Sequence, residues 1–587
     1  MRNPALAPLL LAALALPLAA ERALSQEWNP FDSFGGSQRK RAEQRAPAQG
    51  RGTPDTAAPQ FLDRGSFAVE RGELAPVMAD DGSGLPFELW RGLNVRALEG
   101  LIAELEIPPR APALHALWRR LITSNVTPPT GGEADQQFMA LRLETLYRSG
   151  LLDEVSRELA RMPAGNALVA TLAARNEIGL GKKDQACTTA RSGGAPIGSF
   201  PKHLLGQTAL VSGYCAAIAQ DAAGAGLAAD LAREEGLKNS AGLQALYAFS
   251  VGSKPAMAVD QEISLLDFRI LEATGAPPDT ADILKHASPS LLAALALDPS
   301  TQADLKLTAA EAAAQLNAIT PDELAAIYRA QAMPSAQAAA SSAPALRRAQ
   351  LFVAAETERT PLKQVRRIRS FLDESRRSGL YMTALHMMAP ACERVPLAPE
   401  IGWFAETGVE IALTAGDYER ARSWATFGTA VNGNGTGGLD HWLALIDIAD
   451  DHAGGDRESS LRYVETLAVH GRLDATLLHR LATVLDALEY NVPIPLWEAA
   501  SRTPQPTGGF LPETGVLSEL QDAAKKREFG RTVLLTMKTL GPNGAEGAHM
   551  IALGDSMRAL RKAGLEADAR RLGFEALFAS WPRAIVN

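Results

Sequence analysis

The chain has 587 residues, of which 46% are hydrophobic and 21% charged, so it can bury a large core and is not disordered throughout. Aromatic residues make up only 6%, and alanine and leucine dominate the apolar residues, a balance that favours helices over strands. The net charge of -9 disfavours a nucleic-acid-binding protein, because such proteins are usually basic.

The N-terminus has the pattern of a cleavable export signal. Arg2 precedes an uncharged apolar run at 5–20, and small residues lead to a cleavage position before Gln26. An uncleaved anchor is the alternative, but the run is short for a membrane span and contains two prolines. We therefore expect residues 1–25 to be a signal peptide and the mature chain to be periplasmic, with no integral membrane span.

Composition and periodicity divide the rest of the chain into four parts. Residues 26–75 are rich in Gln, Gly, Pro, Arg and Ser and predict a disordered linker. Apolar residues then recur at helical spacing, which predicts an N-terminal helical repeat domain over 76–332 and a C-terminal one over 346–587. Between them, 333–345 is an Ala/Ser/Pro-rich stretch that predicts a linker joining the two halves.

One local pattern recurs along both halves. A helix ends, a glycine follows, then comes an apolar residue or a charged–aromatic pair, and a second helix begins. Glycine suits this place because it reaches the left-handed conformation that closes a helix C-terminus. The glycines of these predicted helix–turn–helix units are Gly150, Gly181, Gly379, Gly416, Gly471 and Gly564.

The clearest unit, Ala-Gly-Asp-Tyr-Glu-Arg-Ala at 415–421, resembles the turn of a tetratricopeptide-like helical repeat, with Asp417 and Tyr418 opening the second helix. The resemblance covers single hairpins, because the units do not follow that family's period of about 34 residues. It implies an all-α fold, an irregular helical-hairpin repeat or α-solenoid. The chain also resembles large exported proteins of alphaproteobacteria. Neither resemblance transfers a functional residue.

Three cysteines occur, at Cys187, Cys215 and Cys392. The first two are 28 positions apart, a spacing that fits neighbouring helices of one hairpin, so we expect a disulfide between them in an oxidising compartment. Three buried thiols are the alternative. The sequence has no C-x-x-C pair, the motif of redox and zinc sites.

Three motifs suggest catalysis but lack the residues that would complete it. The glycine-rich stretch 433–438 satisfies G-x-G-x-x-G, yet it follows a predicted helix rather than a strand. The Gly-Asp-Ser-Met at Ser556 resembles the nucleophile block of SGNH hydrolases, but no histidine follows it. Glu458 lies in a Glu-Ser pair similar to that of soluble lytic transglycosylases, without their downstream sugar-site segment.

Two further sets of residues have structural interpretations. We expect the acid and histidine cluster to mark a solvated helix end rather than a metal site, because its two histidines are three helical turns apart. We expect five tryptophans, which apolar residues mostly flank, to lie in the core. The cluster comprises Asp440, His441, Asp447, Asp450, Asp451 and His452, and the tryptophans are Trp118, Trp403, Trp424, Trp442 and Trp497.

These observations predict a non-catalytic protein. We expect a periplasmic binding or scaffold protein of the cell envelope, with no catalytic residue, cofactor or metal, because helical repeats present extended surfaces to protein or peptide partners. Two alternatives stay open. One is a peptidoglycan-acting envelope enzyme of the lytic transglycosylase type, and the other is a component of a motility or secretion machine.

Overall fold

The computed structural model describes ten stretches of the chain: 84–124, 129, 134–162, 167–193, 202–237, 240–255, 261–331, 343–432, 438–452 and 459–583. The predicted signal peptide and the predicted linker at 26–75 lie outside these ranges. Contacts divide the chain into units 1–69 and 70–587, and the described residues all belong to the second unit.

The described residues form 28 α-helices, one 3-10 helix at Pro399–Phe404 and no β-strand, so the predicted all-α helical repeat is confirmed. The first fourteen helices are α1 Val95–Ala103, α2 Pro112–Thr123, α3 Ala134–Arg148, α4 Leu152–Ala160, α5 Ala167–Gly179, α6 Lys183–Ser192, α7 Lys202–Ile218, α8 Ala222–Glu234, α9 Ala241–Ser250, α10 Leu265–Ala273, α11 Thr280–His286, α12 Pro289–Leu297, α13 Ala303–Gln315 and α14 Pro321–Gln331. The remainder are α15 Pro344–Thr357, α16 Pro361–Arg377, α17 Tyr381–Glu393, α18 Ala405–Thr414, α19 Tyr418–Asn432, α20 His441–Ala449, α21 Leu461–Val469, α22 Ala475–Ala487, α23 Ile494–Ser501, α24 Thr514–Lys525, α25 Phe529–Leu540, α26 Gly544–Gly547, α27 Met550–Lys562 and α28 Glu566–Phe578.

The hairpin turns have the geometry that glycine favours. At the turn between α18 and α19, Gly416 has a φ of 79°, and the Asp417 N–H donates to the Ala412 carbonyl at 2.9 Å. The Asp417 carboxylate then accepts a hydrogen bond from the Arg420 N–H at 3.0 Å, which caps α19. The other predicted turn glycines, Gly150, Gly181, Gly379, Gly471 and Gly564, also have positive φ.

Consecutive helices pack as pairs, but α10 departs from a simple linear stack. It contacts α5, α7, α9 and α12. A single parallel backbone bridge sets α10 beside α12: the Ile263 N–H donates to the His286 carbonyl at 2.8 Å, and the Ser288 N–H donates to the Ile263 carbonyl at 2.9 Å. The bridge places the starts of two helices side by side.

The predicted linker at 333–345 ends earlier than expected. Helix α15 begins at Pro344, because proline is well tolerated in the first turn of a helix, and so the last two residues of the predicted linker are helical. Residues 332–342 lie outside the described ranges. The Arg348 guanidinium of α15 forms a buried ion pair with Glu311 of α13. The division into two halves stays a prediction.

The first helices contact the last ones directly. Helix α1 packs on α25, and α2 packs on α25 and α28. The Gly530 N–H donates to the Leu89 carbonyl at 2.9 Å, and the Arg120 guanidinium lies 2.5 Å from the Asp568 carboxylate. This contact, which we call the terminal closure, joins two ends of the described chain that are more than four hundred residues apart in sequence.

The expectation that all five tryptophans lie in the core is wrong for two of them. Trp497 is 48% exposed and Trp403 is 40% exposed. Trp118, Trp424 and Trp442 are fully buried. In α23 the buried positions belong to Leu496 and Ala500, one helical turn apart, and Trp497 falls on another face.

Across the described ranges, every helix is either too short or too polar to cross a membrane.

Candidate functional sites

The predicted disulfide is confirmed. Cys187 of α6 and Cys215 of α7 are bonded, with their Cα atoms 5.6 Å apart. Cys392 is a free, buried thiol in α17. Burial raises the pKa of this thiol to about 12, so it stays protonated and unreactive at neutral pH.

Of the residues that suggested catalysis, only Ser556 and the last glycine of the glycine-rich stretch lie within the described ranges. Ser556 lies inside α27, fully buried, and its hydroxyl has no hydrogen-bond partner among the described residues. A nucleophilic serine of the SGNH type needs an accessible hydroxyl beside a base. Residues 433–437 of the glycine-rich stretch, and Glu458, lie outside the described residues.

The acid and histidine cluster is held by structural partners. The Nε2 atom of His441 lies 2.9 Å from the Pro582 carbonyl oxygen, and burial lowers the pKa of this histidine. Arg422 donates to Asp447 at 2.6 Å and to Asp450 at 2.9 Å. The cluster therefore ties α19 to the end of α20 and connects α20 to the C-terminal segment.

One part of this cluster brings possible metal ligands close together. A ligand atom from each of Asp450, Asp451 and His452 lies within 4.8 Å of the others. These side chains could hold a cation, but Asp450 already accepts a hydrogen bond from Arg422. Exposed acidic groups commonly cluster in this way without an ion, and no second feature of the described surroundings points to one.

Two of the predicted turn glycines lie beside a pocket of about 500 Å³, which we call the larger pocket. It forms where α3, α5, α12 and α13 end. Gly150 lines it, and a Cβ atom at Gly181 would lie 3.8 Å from the Asp298 carboxylate. The remaining predicted turn residues belong to other hairpins: Gly379, Gly416, Asp417, Tyr418, Gly471 and Gly564.

Two acidic groups of the larger pocket, Glu154 and Glu323, are held by neighbouring donors. Glu154 accepts a hydrogen bond from Arg119 at 3.3 Å and forms an ion pair with Arg157 at 3.0 Å. Glu323 accepts from the Thr320 N–H at 2.7 Å, which caps α14. These contacts are typical of side chains that fasten helix ends together.

Asp298, at the end of α12, has the same kind of role. Burial raises its pKa, but hydrogen bonds from Ser300 and the Arg269 guanidinium outweigh that effect and hold the pKa below its usual value. The Arg269 guanidinium lies 2.9 Å from Asp298 and also donates to the Gly179 carbonyl at 3.2 Å. Burial, with a smaller effect of Arg119, lowers the pKa of the neighbouring His115 to about 4. At neutral pH the larger pocket thus offers an ionised aspartate and a neutral histidine.

A second pocket, of about 430 Å³, lies where three helices begin. Ser240, Ser264 and Ser288 are the N-cap residues of α9, α10 and α12, and all three line it, so we call it the serine-capped pocket. The Asp267 carboxylate accepts from the Gly242 N–H at 2.8 Å and from the Ser264 hydroxyl at 2.7 Å. This carboxylate thus occupies the N-termini of α9 and α10.

A buried arginine and a buried tyrosine form another wall of the serine-capped pocket. Arg175 is 3% exposed, forms an ion pair with Glu144 at 2.5 Å and hydrogen-bonds Gln207. Its guanidinium lies 4.0 Å from the centre of the Tyr147 ring. Tyr147 is 5% exposed, and burial raises the pKa of its hydroxyl well above the usual value. Among the described residues, neither that hydroxyl nor the Arg175 Nε has a hydrogen-bond partner.

Sequence reasoning missed this pocket. Its lining side chains come from positions between Ile107 and Ser290, in five helices and the segments between helices, so no short motif contains them. The sequence does contain a local signal for two of the helix starts at this pocket. Ser264 and Asp267 have the spacing of a capping box, and Ser288 precedes a proline, so both positions predict helix starts.

An exposed apolar surface lies on α23. Ile494 is 73% exposed, and Trp497 follows it one turn later on the same side of the helix. We call these two residues the α23 surface. Single exposed apolar residues are common in soluble proteins, but a tryptophan next to a second large apolar side chain is typical of binding surfaces.

The chain matches no protein family, no curated protein and no solved structure. Its function is therefore argued from the geometry of the described residues alone. Three features enter that argument: the α23 surface, the Cys187–Cys215 disulfide and the arginine-bound acids of the larger pocket.

Proposed function

We propose that the chain is an exported, non-catalytic binding or scaffold protein of the cell envelope, whose tetratricopeptide-like helical hairpins bind a protein or peptide partner. The α23 surface carries this proposal. Tryptophan is among the residues that contribute most to binding energy when a partner buries them. About half of the Trp497 side chain remains available for such a contact.

The disulfide supports export. Bonds such as Cys187–Cys215 persist in oxidising compartments and are rare in the bacterial cytosol. The predicted signal peptide at 1–25 would take the chain to such a compartment. The disulfide and the predicted signal peptide are independent of each other. The first rests on the positions of α6 and α7, and the second rests on the sequence of the first 25 residues.

The paired charges of the larger pocket support binding rather than catalysis. A general acid or base needs a pKa near the working pH, and its titrating atom must be able to contact the substrate rather than being held by another side chain. Asp298 has a lowered pKa and is engaged by Arg269, while Glu154 is engaged by two arginines. These two groups are held by arginines at helix ends, which argues against a role for either as a general acid or base.

The proposal is tested by capturing the partner in cells. A photo-crosslinking residue placed at Ile494 in a tagged chain should form a discrete crosslinked species, and the additional change Trp497→Ser should reduce its yield severalfold, because the main apolar contact is lost. Trp403→Ser is the matched control, since Trp403 is exposed to a similar degree on another element. It should leave the yield unchanged.

Two results would contradict the proposal. The first is equal loss of crosslinking in the Trp497 and Trp403 variants when both melt at the wild-type temperature. The second is a loss-of-function phenotype for Ser556→Ala in a correctly folded chain, which would indicate catalysis instead. Fractionation provides a separate check on export, because the mature chain should begin at Gln26 and appear with periplasmic proteins.

A further inference from the structure

We infer that the outer face of α16 binds the surface of an anionic phospholipid membrane. This face is separate from the α23 surface, and the inference does not depend on the proposed partner. The exposed basic residues of α16, together with the arginine just before the helix, form what we call the basic face: Arg359, Lys363, Arg366, Arg367, Arg369 and Arg377.

Helical spacing separates the basic face from the core. Val365, Ile368 and Leu372 recur at i, i+3 and i+7 on one side of α16 and are buried. Lys363 and Arg366, three positions apart, lie on the opposite side and are exposed. The apolar side fixes the helix in the fold, so the basic side is held facing the solvent.

The basic face has an excess of positive charge. Residues 358–377 include seven basic and three acidic side chains, a net charge of +4. The whole chain has a net charge of -9, so the residues outside this stretch have a net charge of -13. The positive charge is therefore concentrated on one helix of an otherwise acidic protein, which favours an anionic partner at this place.

Ion pairs neutralise only part of the basic face. Arg367, Arg369 and Arg377 each pair with an acid of the same stretch, with N–O distances of 3.2, 3.3 and 2.7 Å. In the described part of the chain, three positive groups at the beginning of the face have no acidic partner: Arg359, Lys363 and Arg366.

The elements packed against α16 do not cancel its excess charge. Helices α15 and α17 and the 3-10 helix contact it, and their charged residues are three of each sign: Arg347, Arg348 and Arg394, with Glu356, Glu393 and Glu400. The helix ends cancel as well. The end of α15 adjoins the beginning of α16, and the end of α16 adjoins the beginning of α17, so partial charges of opposite sign lie together.

The shape of the basic face favours a membrane over an acidic peptide. The face is the outer side of a helix of 17 residues, about 25 Å long, and none of its residues lines the larger pocket or the serine-capped pocket. A straight row of flexible cations fits the charge of anionic lipid head groups, which is spread over a plane. Leu362, 36% exposed beside Lys363, adds an apolar side chain for the head-group region.

The test is flotation of the full chain, from Gln26 onwards, with lipid vesicles. The chain should float with vesicles of phosphatidylglycerol and phosphatidylcholine in about 20 mM salt but not with phosphatidylcholine alone, and about 500 mM salt should release it, because salt screens exposed charges. Replacing Arg359, Lys363 and Arg366 together by glutamine should reduce the partitioning about tenfold or more.

Two further triple variants serve as controls, and thermal melts establish that each variant is folded. The first changes the net charge equally at exposed lysines, no two of which share a helix, and it should float as the wild type does. The second replaces the basic run at 39–41, which lies outside the described residues, and it should keep most of the binding. The changes are Lys182→Gln, Lys525→Gln and Lys562→Gln in the first, and Arg39→Gln, Lys40→Gln and Arg41→Gln in the second.

Three results would overturn the inference. The first is a chain that does not float with the phosphatidylglycerol vesicles, including one that binds soluble polyglutamate instead. The second is an equal loss of flotation in the α16 variant and in the variant with scattered lysine changes, which would indicate an effect of net charge alone. The third is loss of flotation on replacement of residues 39–41 while the α16 variant still binds.

Discussion

Glu575 is a carboxyl group whose pKa the fold raises into the neutral range. It lies in α28 at the terminal closure, where it accepts a hydrogen bond from the Ala113 N–H of α2 at 3.3 Å. Burial raises its pKa to about 8, with a smaller contribution from the negative charge of Glu546. The acid therefore stays largely protonated at neutral pH, unlike an exposed glutamate.

This shift predicts how stability changes with pH. In the unfolded chain Glu575 ionises near pH 4.5, whereas in the folded chain it holds its proton up to about pH 8. Between those values the folded state binds more protons, so the melting temperature should fall as pH rises across the window. Glu575→Gln keeps an acceptor for Ala113 without the ionisation, and it should reduce this fall.

The measurement is the melting temperature of wild type and Glu575→Gln from pH 5 to pH 9. The melting temperature of Glu575→Gln should rise relative to that of the wild type as pH increases to about 8. Above pH 8 the difference between the two melting temperatures should be constant. Glu519→Gln, at an exposed glutamate of α24, is the control and should follow the wild-type curve. Parallel curves for wild type and Glu575→Gln would show that the carboxyl group ionises normally in the folded state.

At the residue scale, sequence predicts conformation better than it predicts environment. Gly416 and Gly564 were predicted as turn residues because the need for a positive φ is local to a helix end. The unpartnered hydroxyl of Tyr147 could not be predicted in the same way. Its burial depends on helices such as α10, whose residues lie more than a hundred positions further along the chain.

At the scale of elements, the disulfide is the covalent tie between α6 and α7. Replacing Cys187 and Cys215 together by serine should lower the free energy of unfolding by roughly 3–4 kcal/mol, because the unfolded chain then regains the freedom of a 28-residue loop. Chemical denaturation of the variant and of the wild type, with and without reductant, measures the loss.

Reduced wild type should unfold at the same denaturant concentration as the variant. Thiol labelling provides an independent check of the pairing. Unreduced, unfolded protein should show one reactive thiol, at Cys392, and three labelled thiols would refute the bond.

The exposure of Trp497 shows what helical spacing can and cannot reveal. Leu496 and Ala500 recur at i and i+4, so the sequence already indicated which side of α23 faces the core. Ile494 and Trp497 lie on a different side of α23 from Leu496 and Ala500. This difference in position is the sequence signal for an exposed surface. What spacing cannot show is whether a further helix covers this side, since that depends on packing between distant elements.

At the scale of the whole molecule, the terminal closure depends on a very short contact. Gly530 is the second residue of α25, and a Cβ atom there would lie 2.8 Å from both the Leu89 carbonyl oxygen and the Trp90 ring. Gly530→Ala should therefore displace the segment before α1 and cost about 1–3 kcal/mol of stability.

Hydrogen exchange followed by mass spectrometry measures this displacement. Peptides covering Leu89 and Trp90 should exchange faster in Gly530→Ala than in wild type. Gly515→Ala is the matched control, because Gly515 is the second residue of α24 and a Cβ atom there meets no neighbour within 4 Å. Unchanged exchange in the Gly530 variant would mean that the closure tolerates the added methyl group.

The sequence could not predict this closure. Helical periodicity identifies the apolar stripe of α2 but not its partner, because any complementary helix could cover Leu117 or Leu121. The tetratricopeptide-like resemblance covers single hairpins and implies no contact between the first and the last helices. The pairing of α2 with α28 is specified by side chains such as Arg120 and Asp568, which lie far apart in the sequence.

The terminal closure also constrains the order in which parts of the chain can dock during synthesis. Ala113 and Glu575 are 462 positions apart, and at about 5–20 residues per second the ribosome needs about 25–90 s to make the chain between them. Throughout that interval the faces of α1 and α2 that meet α25 and α28 have no native partner to cover them. Their docking cannot precede synthesis of the last helices, and until then the native partners of these apolar faces do not exist.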